Sequence, residues 1–184
     1  AESCIKSWGD VPVFVVLNGP RGQHGADGER PAYDRATVLY NSGEYLGTVP
    51  AFRRGVDHAL EQGYDIIACL HDDVEILDPT WTDQVIRCFE RRPMCGLVGF
   101  GGAIGLGSDD IYKVPYDPMQ LARIGFRSNL VDAEVHGIRS LLSERVACLD
   151  GFSQIGRREF WAGTAPTLTE RRLTYLENHG IIHH

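Results

Sequence analysis

The first strong hydrophobic signal along the chain is Val11 to Leu17, a continuous β-branched and aromatic run that stops at Asn18-Gly19-Pro20. A run that is apolar on both faces predicts a strand covered on both sides, the habit of parallel sheets flanked by helices. Glu2 to Trp8, before it, fits the tail of a helix. Arg21 to Tyr33 is polar and glycine-rich and predicts a loop, and Ala36 to Tyr40 predicts a short second strand closed by Asn41-Ser42-Gly43. Apolar residues at Val49, Phe52, Val56, Ala59 and Leu60 recur with helical spacing over Val49 to Gln62, and Gly63 supplies the stop. Ile66 to Leu70 is the most strand-like run and leads straight into His71-Asp72-Asp73. After Asp78-Pro79, the positions Trp81, Val85, Ile86 and Phe89 mark one face of a helix over Trp81 to Arg91, and Cys95 to Phe100 returns to strand.

The second half is less regular. Gly101 to Gly107 is glycine-rich, and Ser108 to Leu130 is polar and aperiodic, as a lid or specificity loop would be. Val146 to Leu149 is a further apolar segment and leads into Asp150-Gly151-Phe152. Leu168 to Asn178 is helix-compatible and ends at His179-Gly180, with a short strand Ile181-Ile182 running into His183-His184.

Strand, helix, strand, helix, strand at this pitch predicts an α/β fold with a mostly parallel sheet and crossover helices. Such sheets take ligands beyond the carboxyl ends of their strands. That rule selects Asn18-Gly19, Asn41-Ser42-Gly43 and His71-Asp72-Asp73. Composition narrows the partner. A net charge of −7 argues against nucleic acid, whose recognition is dominated by cations facing phosphates. The longest apolar run is too short to span a bilayer. Five scattered cysteines without a CxxC pair fit a reduced, cytoplasmic protein with buried thiols.

Two adjacent carboxylates after a buried strand repel one another unless a cation meets them. Aspartate and glutamate oxygens beside one imidazole suit Mg²⁺ or Mn²⁺. On an extended segment His71, Asp73 and Glu75 share one face and Asp72 points the other way. The bland alternative is a solvated strand end or a helix cap, although Asp78-Pro79 already offers a separate helix start.

The block from Asn41 to Gly99 resembles the family 2 glycosyltransferases of the GT-A fold. The resemblance rests on Asn41-Ser-Gly43, on Val49-Pro-Ala-Phe-Arg-Arg-Gly-Val-Asp-His-Ala59, and on Tyr64-Asp-Ile-Ile-Ala-Cys-Leu-His-Asp-Asp-Val-Glu-Ile76. Asp78-Pro-Thr-Trp81 and Gly96-Leu-Val-Gly99 continue it, in the branch whose Asp-x-Asp motif reads His-x-Asp. More weakly it reaches Leu149 to Phe152 and Arg157-Arg158-Glu159-Phe160, where a similar segment in the family lines the acceptor side. It implies one GT-A-like (Rossmann-like) domain over residues 1–184, with a nucleotide-sugar-binding half to residue 100 and an acceptor-binding half after it. It implies transfer from a nucleotide-diphospho-sugar to a saccharide or other hydroxyl acceptor, with inversion and with Mn²⁺ or Mg²⁺.

Carried over position by position, Asp73 matches the metal-binding aspartate, Asp72 the middle position facing ribose or sugar, and His71 the first aspartate, where it touches metal, substrate or neither. Asn18 and Gly19 occupy a nucleotide-contacting turn, and Asn41 and Gly43 border the donor site. Arg54, with Arg53, stands where family members often have an Asn, facing either the diphosphate or solvent. Glu170 is the first candidate for the base that deprotonates the acceptor and Asp150 the second, with a dipole-stabilised helix start as the alternative for Glu170. His183 or His184 matches a late histidine that completes the metal shell, or belongs to a purification tag. Cys4 to Trp8 looks like the end of the family's first helix, so its opening strand is lacking, unless Val11 to Leu17 is itself that strand. Two other functions compete: a sugar-nucleotide nucleotidyltransferase, with Gly19-Pro20-Arg21-Gly22 as a faint phosphate loop, and a degenerate domain that binds sugar nucleotide without turnover.

Overall fold

The computed structural model describes residues 2–19, 33–40, 47–105, 125–129, 138–140 and 142–164. A short helix α1 (Glu2–Ser7) precedes β1 (Val13–Leu17), which pairs in parallel with β2 (Ala36–Tyr40), Val13 opposite Ala36 and Leu17 opposite Tyr40. Helix α2 (Thr48–Glu61) follows, then β3 (Ile66–Leu70) and α3 (Trp81–Arg91). The apolar spacing read from the sequence matches these elements, and Gly63, with a φ of 87°, turns the chain out of α2 in a conformation that a side chain would disfavour.

Beyond α3 come six short strands: β4 (Leu97–Val98), β5 (Gly101–Ala103), β6 (Phe126–Ser128), β7 (Ile138–Arg139), β8 (Cys148–Leu149) and β9 (Ser153–Arg157). Helix α4 (Arg158–Thr164) ends the described chain. The molecule is mixed α/β, and among the described residues one sheet of three is parallel. In the second sheet β9 lies between β3 and β4 and runs antiparallel to both. In the third, of order β7-β6-β5-β8, only β6 and β7 are parallel. The second sheet draws on both halves of the chain.

The strand expected over Cys95 to Phe100 is interrupted. It pairs at Leu97 and Val98, bends, and enters the third sheet at Gly101. Gly99 sits where a Cβ would lie 2.5 Å from the Ser153 carbonyl oxygen, so the bend is pressed directly onto β9.

Helix α2 packs Val56 and Ala59 on Ile67, Cys69 and Trp161. On the other side α3 packs Trp81, Val85 and Phe89 on Ile155 of β9. Helix α1 sets Cys4, Ile5 and Trp8 against Val13, with Leu70 and Ile76 alongside. Two consecutive arginines tie the layers together. Arg157 donates to the Phe89 and Cys95 carbonyls at 2.6 and 3.1 Å, with its guanidinium 4.8 Å from the Phe89 ring centre. Arg158 donates to the Leu60 and Tyr64 carbonyls at 2.9 and 3.2 Å. Each cation thus reaches the C-terminal end of a helix, where the dipole favours positive charge: Arg157 serves α3 and Arg158 serves α2.

Candidate functional site

The site gathers at the carboxyl end of β3. Three bonds hold the stretch that follows it. The Trp8 indole N–H donates to the Val74 carbonyl at 2.8 Å, the Ile76 N–H donates to Ser7 Oγ at 2.9 Å, and the Trp81 indole donates to the Trp8 carbonyl at 3.0 Å. With its far end tied down, the chain leaves β3 through a turn in which the Val74 N–H donates to the His71 carbonyl at 3.2 Å. This corrects the expected alternation: His71, Asp73 and Glu75 do not lie along one face of an extended segment, because the chain folds back between them. His71 is half-buried, with its ring 5.8 Å from that of Phe52, while Asp72 and Asp73 are exposed.

A second acidic turn abuts the first. The Asp150 N–H donates to the Gly101 carbonyl at 2.9 Å, and Asp150 Oδ1 accepts from the Phe152 N–H at 3.2 Å, closing a tight Asx-type turn before β9. The Phe152 carbonyl then accepts the His71 N–H at 3.1 Å. Pairing of β3 with β9 therefore brings the His-Asp-Asp turn and the Asp-Gly-Phe turn to the same end of the sheet, although the two segments are far apart in sequence. Asp150 is half-buried there.

Asn18 approaches from β1. Its side-chain amide donates to the Gly47 carbonyl at 2.8 Å, fixing the start of α2 over the ends of the strands, and Gly19 beside it is buried. Asn18, Phe52, His71 and Asp72 line one end of a cleft of about 720 Å³. Arg54 is exposed on α2. Its neighbour Arg53 donates to the Trp161 carbonyl at 3.0 Å and pairs with Asp57, so it serves the packing of α2 on α4. Asn41, Gly43, Glu170, His183 and His184 lie outside the described residues.

Among the described residues no three histidine, cysteine, aspartate or glutamate side chains converge as a metal cage. Two exposed carboxylates in one turn fit an ion of the Mg²⁺ type, which takes one or two protein carboxylates and completes its shell with water and substrate phosphates. No two of the five cysteines are bridged. No helix among the described residues is long and apolar enough to cross a membrane.

Sequence reasoning did not mark β9, although β9 is what joins the two turns. Its residues, Ser-Gln-Ile-Gly-Arg, include a single apolar side chain, so neither period was readable. No family model matches the chain, and no curated protein or solved structure matches it significantly.

Proposed function

We propose that the protein is a metal-dependent glycosyltransferase of the GT-A type, moving a sugar from a nucleotide-diphospho-sugar to a hydroxyl acceptor with inversion. The observation that carries the reading is the meeting of two acidic turns at one end of the β3–β9 pair, joined by the bond from His71 N–H to the Phe152 carbonyl. The motif resemblance assigns these turns to the donor and acceptor sides, and a transfer site needs both within reach of one sugar.

In this reading Asp73 is the carboxylate that would hold the metal, Asp72 faces the ribose or sugar, and Asn18 and Gly19 border the nucleotide. Mg²⁺ or Mn²⁺, held by Asp73, would supply positive charge to the leaving diphosphate. Asp150 or Glu170 takes the acceptor hydroxyl proton while that oxygen bonds to the anomeric carbon and the bond from carbon to phosphate oxygen breaks. The half-buried position of Asp150, in the turn whose Phe152 carbonyl accepts the His71 N–H, favours it among the described candidates.

Calorimetry with UDP, GDP, CDP and dTDP in the presence of Mn²⁺ tests the assignment. One of the four should bind in a metal-dependent manner, and Asp73→Ala should weaken it at least tenfold. Binding that is unchanged in Asp73→Ala, or absent from the whole panel, overturns it. Pyrophosphate release from a nucleoside triphosphate and a sugar phosphate would select the nucleotidyltransferase reading instead.

A further inference from the structure

Strand β9 carries a buried polar side chain to which the fold gives no task. Gln154 is 1% exposed, and neither its amide nitrogen nor its amide oxygen has a hydrogen-bond partner among the described residues. A polar group buried without a partner opposes folding, and the great majority of buried polar groups in folded proteins are paired. The other polar side chains of β9 follow that rule. Ser153 Oγ accepts the Phe100 N–H, and the Arg157 guanidinium donates to two carbonyls.

The strand register fixes the face on which this amide lies. Ile155 packs on α3, so Gln154, one residue earlier, points to the opposite side of β9. That side also carries Gly156, where a Cβ would lie 2.6 Å from the Trp161 indole nitrogen. Gln154 stands opposite Cys69 of β3, and residues directly opposite each other share a face. Cys69 packs in the core with Val56 of α2, and the His71 ring, two residues further on, meets Phe52 of the same helix. His71 and Gln154 therefore occupy one face. They are diagonal neighbours, about 7–8 Å apart across an antiparallel pair and within reach of long side chains, next to the bond from His71 N–H to the Phe152 carbonyl. The amide thus lies just inside the point where the two acidic turns meet.

We propose that Gln154 recognises the transferred sugar: its amide donates to one sugar hydroxyl, accepts from the adjacent one, and gains on binding the partners it lacks in the free protein. The sugar comes from the His71 side, where this face is half-buried rather than sealed. A neutral amide has no charge to offer a diphosphate. It presents one donor group and one acceptor, a set that two neighbouring hydroxyls match because each hydroxyl both donates and accepts. A nucleobase edge offers a similar set, but Asn18 and Gly19, which border the nucleotide in the proposed reading, come from the first sheet. Gln154 belongs instead to the strand that joins the donor and acceptor turns, between which the sugar passes. This inference rests on the glycosyltransferase reading and adds to it a residue that selects the sugar.

The test is calorimetry on the full chain with Mn²⁺, comparing UDP, GDP, CDP and dTDP with their glucose, galactose, mannose and N-acetylglucosamine conjugates, the tightest conjugate being taken forward. Gln154→Met keeps the length of the side chain and removes its polar atoms. It should bind the nucleoside diphosphate within twofold of the wild type and the sugar conjugate at least tenfold more weakly. Without ligand it should unfold at a higher temperature than the wild type, since no unpaired group remains buried. A ratio of the two affinities that is the same in Gln154→Met and the wild type overturns the inference and leaves the glycosyltransferase reading standing. If no nucleotide of the panel binds the wild type, reading and inference fall together. Gln154→Asn, which keeps the amide but draws it back by one methylene, should also lose at least tenfold in affinity for the conjugate alone. Failure of both variants to fold would show that the protein itself holds the amide, and overturns the inference.

Discussion

Burial without a compensating partner pushes the Cys69 thiol up to about 12 from its ordinary value of 9.0, because the thiolate would lose its water between α2 and β3. The folded state therefore keeps a proton that the unfolded state releases. The associated stability is present in full below about pH 9.0 and is lost as pH rises towards about 12. Urea unfolding across that alkaline range should show the advantage of the wild type over Cys69→Ala shrinking with pH; a constant difference would contradict the assignment. Gly99 makes a second, purely steric demand. A methyl group there meets the Ser153 carbonyl at 2.5 Å, and neither backbone can yield without disturbing β4 or β9. Gly99→Ala should cost roughly 1–3 kcal/mol in chemical denaturation, the usual range for overpacking. The sequence marked Gly96 to Gly99 through a resemblance of function, whereas the structure gives Gly99 a packing reason.

Elements with a clear hydrophobic period were legible. Strands β1, β2 and β3 and helices α2 and α3 follow from apolar spacing and from breakers such as Asn18-Gly19 and Gly63, with boundaries within two residues. The start of α3 was also readable from Asp78. Its carboxylate accepts from the Thr80 N–H and hydroxyl at 2.8 and 2.7 Å and from the Gln84 amide at 2.6 Å. The Thr80 bonds, foremost among several causes, hold this carboxyl below its ordinary value. A lowered carboxylate stabilises the fold above its unfolded pKa, and that contribution disappears as pH falls through the folded value. Asp78→Ala should therefore lower the melting temperature at neutral pH and match the wild type more closely in acid, as followed by circular dichroism. Strand β9 was not legible because its stability comes from groups that pattern reading treats as polar. Ser153 Oγ accepts the Phe100 N–H at 2.8 Å, and Arg157 and Arg158 spend their charge on helix ends. A backbone partner far away in sequence makes such a strand, and no local window contains it.

The same limit explains which parts of the site could be read. His71, Asp72, Asp73 and Asp150 were found as residues, because acids that follow apolar runs stand out. Their convergence could not be found, since it depends on the pairing of β3 with β9. The division of the described strands among three sheets, with α2 spanning the first two, also lies beyond periodicity, which sees elements but not their neighbours. The central place of β9 has a consequence in time. Strands β3 and β4 each present an inner edge that residues 153–157 close. On the ribosome those residues emerge after all the other described strands. A nascent chain that has not reached Ser153 therefore holds two open edges and an unassembled site, and the emergence of residues 153–158 supplies the partner of both edges, the cations at both helix ends and the meeting of the acidic turns.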